Sequence, residues 1–197
     1  MKELKFDIKN FSYVAGDDID VSFIPMMLRR KLNDFGRAGV YTLYGAYDGG
    51  SPNLVFSSSY GDVNRVSKLI NQRKEDGEVS PAGFSASVHN ATVGLFSLLE
   101  GITTSYNSVS AGEKSVSAGF LESILSGESL LCYAESFGGV KSVSVLTSPN
   151  EYGKYLLCDN SEKLPAKDGF EDLVEFLEGK TDVFISDLYM VKRNENL

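Results

Sequence analysis

Between Val109 and Val116 the chain reads VSAGEKSV, a short polar turn holding two serines and a glutamate, and its one histidine, His89, lies upstream in SVHN. A serine becomes a nucleophile when an imidazole within hydrogen-bond reach takes its proton. Ser110 or Ser115, with His89 as base, would then make a small acyltransferase or thioesterase. No G-x-S-x-G elbow and no convincing aspartate partner accompanies them. The competing use of a serine beside a helix start is to cap it. Gly112 and Glu113 complete the turn, and an acid in the first turn of a helix is favoured by the macrodipole. His89 and Asn90 stand where the chain enters a helix, so Asn90 reads as an N-cap and His89 as a ring satisfied by a backbone carbonyl.

Other chemistry finds less support. Arg29, Arg30, Lys31 and Arg37 form a basic cluster, either the solvated face of an amphipathic helix or a landing site for an acidic partner. Gly45, Gly49 and Gly50 lack the spacing of a phosphate-binding loop, so no nucleotide is expected. Cys132 in LLCYA and Cys158 in YLLCD sit in apolar, strand-like runs, which predicts buried free thiols instead of a disulfide or a metal pair. Neither a metal nor a cofactor is expected. A net charge of −8 argues against a nucleic-acid partner. No run approaches the ~20 apolar residues that span a bilayer, and MKELKFDIKNF alternates charge with hydrophobe, which predicts a cytoplasmic protein without a membrane partner.

The elements that position these residues follow from periodicity. LKFDIKNFSYV alternates with period two, putting Leu4, Phe6 and Ile8 on one face of an opening strand. From Met26 to about Tyr47 the pattern is helical, with Leu28, Leu32, Phe35, Val40 and Leu43 as an imperfect stripe ended by DGGSP. NLVFSSS reads as a strand, and a helix from about Asp62 to Asp76 is expected to bury Val63, Val66, Leu69 and Ile70. EDGEVSPAG reads as a loop. Residues Phe84–Gly127 then read as a buried helix, a strand, the polar turn and a second helix. SLLCYAE, VKSVSVL and EYGKYLLCD follow as strands, Gly169–Gly179 as a helix with Phe170, Leu173, Val174 and Leu177 on one stripe, and DVFISDLYMV as a last strand. Strands alternating with helices imply a mixed or mainly parallel sheet covered on its faces. One domain over 1–197 is expected, its polar tail KRNENL fraying after about residue 191.

Three pieces, in order, resemble the N-terminal half of a β-ketoacyl synthase, and more narrowly the stand-alone, chain-length-factor-like members of that family. IPMMLRRKLNDFGRAGVYTLYGA resembles the helix after the family's first loop, SPAGFSASVHNATVGLFSLLEG the segment before the active-site strand, and SYNSVSAGEKSVSAGFLESILSG the strand, nucleophile turn and buried helix. The string S-V-H-N-x-x-x-G, from Ser87 through His89 and Asn90 to Gly94, is the most specific part, and the likeness runs from Met1 to about Glu135. In this family the turn presents a cysteine, whose thiol the helix N-terminus activates. Val109–Val116 contains none. Counting forward from Gly101 puts Glu113 in its place, and counting back from Ser126-Gly127 puts Ser110 there, so both stand. A glutamate there is similar to the glutamine of polyketide chain-length factors, which cannot be acylated.

The resemblance implies a thiolase-like α/β half-unit, a mixed sheet of about five strands sandwiched between helices. It implies a non-catalytic ketosynthase-like subunit of a bacterial fatty-acid, polyketide or aryl-polyene pathway, because condensation also needs polar residues from a C-terminal half that this chain lacks. His89 and Asn90 would line an acyl cavity, and Arg29, Arg30 and Arg37 would dock an acyl carrier protein. The partner would be a ketosynthase or a second copy, since in condensing enzymes the strand corresponding to SYNSVSA pairs across the dimer axis. The alternatives are the serine-dependent acyltransferase or thioesterase above and a free-standing module that binds acyl carrier protein.

Overall fold

A computed structural model of the chain describes residues 3–194. The elements in order are β1 (Leu4–Ala15), α1 (Met26–Arg29), α2 (Asp34–Ala46), β2 (Asn53–Ser57), α3 (Val63–Asp76), α4 (Pro81–Ser85), α5 (Ala91–Glu100), β3 (Tyr106–Val109), α6 (Ser115–Leu125), β4 (Ser129–Glu135), β5 (Lys141–Pro149), β6 (Tyr155–Asp159), α7 (Phe170–Leu177), β7 (Val183–Ile185) and β8 (Tyr189–Arg193). The strands form a single sheet in the order β3-β2-β4-β5-β1-β6-β8-β7.

The sheet is mixed, as expected, but it has eight strands instead of about five and is mainly antiparallel. Only β3, β2 and β4 run parallel. The physical reason is connection length. Ser136–Val140 joins β4 to β5 and Ser186–Leu188 joins β7 to β8, and turns that short cannot make the crossover a parallel pair needs. The second turn also splits DVFISDLYMV, read as one strand, into a hairpin.

Alternating side chains send the sheet's two faces into two cores. On β4, Leu131 and Tyr133 join Val55, Phe120, Leu173 and Phe176 beneath α6 and α7. Leu130, Cys132 and Ala134 point the other way, to Phe35, Leu43, Phe56, Val93 and Phe96 of α2, β2 and α5. The expected sandwich between helices is thus present, and Cys132 and Cys158 are buried free thiols within it. Helices approach the sheet closely where glycine allows it: a Cβ on Gly119 of α6 would stand 2.5 Å from the Ser57 Cβ of β2.

Four expectations at element level are corrected. The helix drawn from Met26 to Tyr47 breaks between Arg30 and Asn33, because the Asn33 side chain accepts from Gly36 N at 3.2 Å and starts α2 afresh. α3 lies where expected, capped by Asp62, yet it buries no residue, with Val66 38% and Ile70 50% exposed. Its companion α4 forms inside the stretch read as a loop, because Ser80 caps it and Pro81 opens it. At the tail, Lys192 and Arg193 do not fray: they pair with Leu156 and Tyr155 in β8, and Asn194 N donates to Lys154 O at 2.7 Å. Residues 195–197 lie outside the described residues.

Candidate functional site

β3 delivers the chain to the polar turn, and α6 carries it away beneath the sheet. Gly112 makes the reversal with φ +57°, a left-handed conformation that a side chain would resist. Its carbonyl accepts the Ser115 and Ser59 hydroxyls, each at 2.7 Å. Ser115 Oγ in turn accepts from Ala111 N at 3.0 Å, so this fully buried hydroxyl bridges the turn from within. Glu113 is exposed in the 3-10 turn just ahead of α6. Lys114 reaches Asp187 at 3.2 Å and Asp168 at 3.4 Å, and the Asp187 carboxylate first, then Asp168, holds its ammonium above the usual lysine range. Asp168 also accepts from Ser117 Oγ at 2.8 Å, which pins the first turn of α6 to the segment before α7.

The sequence-predicted nucleophiles do not meet their base. Ser110 Oγ donates to Ser59 O at 3.3 Å, and Ser115 is committed to Gly112. His89 Nε2 lies 3.2 Å from Ser58 O. A carbonyl only accepts, so Nε2 carries the proton there and is not the atom that takes one from a serine. The ring also stands edge-on to Phe56 at 5.1 Å, in the backbone-satisfied role foreseen for it. Asn90 occupies the N-cap position of α5, but its side chain makes no capping bond, because ψ of 9° turns the carboxamide away from the helix amides.

Periodicity and motif both missed Glu135. It ends the apolar strand β4, is 3% exposed, and accepts five hydrogen bonds. Oε2 takes Ser58 Oγ at 3.2 Å and the Ser59 and Tyr60 amides, each at 3.1 Å. Oε1 takes the Ser136 and Phe137 amides at 2.9 and 3.2 Å. The loop Ser58–Gly61 is therefore a hub: its carbonyls hold His89 and Ser110, and its donors converge on Glu135. The available signal was an acid closing a strand of hydrophobes, opposite the consecutive serines that follow β2.

Beside this hub lies a cleft of about 520 Å3, lined by Lys31, Leu32, Asn33, Asp62 and Arg65 on one side and by α4, α5 and Tyr106 on the other. Asp62 organises its polar floor, accepting from Asn33 Nδ2 at 2.9 Å and from Arg65 Nε at 2.8 Å. Of the four basic residues singled out from sequence, only Lys31 lines the cleft. Arg29, Arg30 and Arg37 do not, and neither do His89 and Asn90. The helix break at Arg30–Asn33 puts Arg37 on α2, apart in the chain from Arg29 at the end of α1 and Arg30 just after it. Among the described residues, no group of three or more His, Cys, Asp or Glu side chains is placed to hold a metal, and no helix is long and apolar enough to cross a membrane.

Solved structures share this architecture. A ketosynthase in complex with its chain length factor from Xenorhabdus doucetiae matches with a TM-score of 0.76 at 18% identity, over 96% of this chain and 100% of that chain. The ishigamide ketosynthase/chain length factor gives 0.61 at 12% identity, over 80% of this chain and 68% of that one. A type II polyketide acyl-carrier protein in complex with its ketosynthase gives 0.62 at 12% identity, over 76% and 64%. At these identities the likeness is one of fold, and the fold is thiolase-like. No curated protein matches the chain. The model of the β-ketoacyl synthase N-terminal domain matches residues 9–129, more than half of the sequence and all of the elbow built from β3, the polar turn and α6. The chain belongs to the β-ketoacyl synthase N-terminal domain family.

Proposed function

We propose that this chain is a non-catalytic ketosynthase-like subunit, similar in role to a chain length factor, that pairs with a ketosynthase and shapes or scaffolds the partner's acyl cavity. The observation that carries the reading is the elbow itself. The strand, reversal and buried helix are kept, while Val109–Val116 has no cysteine and both of its serines are tied to backbone carbonyls. The Xenorhabdus doucetiae complex, whose name pairs a ketosynthase with a chain length factor, supports it by covering that chain from end to end. Ser110, Gly112 and Glu113 act here through shape, His89 holds the loop that flanks them, and Asn90 follows it at the start of α5. The chain works as one domain, in the cytoplasm of a bacterium, in a fatty-acid, polyketide or aryl-polyene pathway.

Pairing runs through the open edge of β3. Ser105 O and Val109 O bond inward to Leu54 N and Ser58 N, so the N–H and C=O of Tyr106 and Ser108 turn outward. Such an unpaired edge is a template for another strand. An acyl carrier protein meets the complex on the exposed Arg30 and neighbouring Arg29 and Arg37. Co-expression with a ketosynthase, followed by native mass measurement, is expected to give a one-to-one complex. Treatment of the isolated chain with a fluorophosphonate or an acyl-carrier thioester is expected to leave its mass unchanged. An adduct lost in Ser110→Ala or Ser115→Ala would replace this reading with the serine-dependent acyltransferase.

A further inference from the structure

On the opposite side of α2 from the elbow, a basin of about 660 Å3 is lined by Ser12, Phe23, Tyr41, Tyr44, Gly45 and Glu100. We propose that this basin binds an organic ammonium group, held over its three aromatic rings and against the Glu100 carboxylate. Tyr44 stands at steep angles to the rings on either side of it. Phe23 meets Tyr44 with centroids 5.1 Å apart and planes at 69°, and Tyr44 meets Phe96 behind it at 5.1 Å and 84°. Phe96 is fully buried and backs the Tyr44 wall, whereas Phe23 is 52% and Tyr41 38% exposed. Two large rings thus stay in water beside a recess that burial alone would close over. Ring faces carry the negative part of the aromatic quadrupole, so a cation within about 6 Å of their centres is attracted.

The charge in the basin points the same way. Glu100 is the last residue of α5, where the helix dipole presents its negative end and a carboxylate is disfavoured. Nothing cationic offsets it: among the described residues Glu100 has no ion-pair partner. Its Oε1 accepts the Tyr44 hydroxyl, which fixes the carboxylate on the basin wall and leaves Oε2 for a ligand. A carboxylate added to a helix's negative end and walled by aromatic rings is an arrangement that repels anions and rewards a soft cation with apolar flanks. Alkylated ammonium ions have that chemistry, either as free small molecules or as methylated lysine side chains.

The test is a titration of the full chain with choline, followed by NMR chemical shifts. The neutral isostere 3,3-dimethylbutan-1-ol and matched sodium chloride serve as controls. Saturable shifts at Phe23, Tyr41, Tyr44 and Glu100 are expected with choline, and binding of the isostere weaker by about tenfold. Glu100→Gln and Tyr41→Ala, both at sites with solvent access, are expected to weaken choline by about tenfold with the spectrum of the fold retained. A trimethyllysine peptide binding more tightly than choline assigns a side chain as the ligand, and the reverse assigns a free small cation. Equal affinity for choline and its isostere, unchanged affinity in Glu100→Gln, or shifts that fail to saturate would each overturn the site.

Discussion

Glu135 holds the Ser58–Gly61 loop against which the elbow rests, because one buried carboxylate receives donors from two loops at once. Replacing it by glutamine puts an NH2 group against backbone N–H groups that need an acceptor. Glu135→Gln is therefore expected to lower unfolding stability by about 1–3 kcal/mol, seen as a lower urea midpoint at unchanged slope. An unaltered midpoint would remove Glu135 from this role. A second expectation concerns Cys132. Burial pushes its thiol up to about 11 from an ordinary value near 9, so above pH 9 the unfolded chain releases a proton that the folded chain keeps. The folded state then holds more protons than the unfolded one, and stability must fall as pH rises. Stability measured against pH should decline between 9 and 11, and Cys132→Ala should make that decline shallower without abolishing it, because burial also pushes the Cys158 thiol up. Above that, Tyr133 adds its own decline, since burial first and the Glu135 charge second push its hydroxyl up to about 12.

Elements made mostly of short-range pattern were legible in the sequence. β1 places Phe6 in the core with Leu4 and Ile8 packed beside it, and α7 buries Phe170, Leu173, Val174 and Leu177, as their spacings require. What spacing hides is pairing. The hydroxyl-rich strand SYNSVSA reads the same at the centre of a sheet as at its edge, and only the topology puts β3 at the rim, where its outer N–H groups are unpaired. The break in the helix drawn from Met26 was hidden for a similar reason, since the cap at Asn33 is fixed by a distant contact to Asp62. Ser108→Pro is an expectation at this scale. Proline removes an outward N–H without touching the inward ladder to β2, a position that edge strands tolerate. The variant should keep the far-ultraviolet spectrum and melting temperature of the parent while losing the complex with a ketosynthase. A Ser108→Pro chain that still forms the complex at parental strength would move the interface elsewhere.

Taken as a whole, the molecule is unevenly finished. The sheet and the helices α2, α5, α6 and α7 enclose two dense cores, but α3 and α4 stand outside them with Val66, Ile70 and Phe84 in contact with water. The sequence showed α3 as an amphipathic stripe and so implied burial. The stripe is real, and the described residues leave it unburied. An amphipathic helix draws most of its stability from what its apolar face packs against, so α3 in the isolated chain rests on its Asp62 cap, its C-terminal Gly77 and the ties from Arg65 to Asp62 and Lys31. Such a segment opens locally at far lower cost than the cores do. Hydrogen exchange on the isolated chain should find the amides of residues 66–76 and 83–86 among the fastest-exchanging helical positions, well ahead of α6. The bare face continues past the cleft to Tyr106 at the sheet edge, so a partner strand added to β3 would bring its own subunit against these helices. In the complex with a ketosynthase the same amides should slow by about tenfold or more, which corresponds to about 1.4 kcal/mol of added local stability. If β3 becomes protected while α3 and α4 exchange as before, the partner sits on the edge alone, and the cleft is not part of a shared cavity.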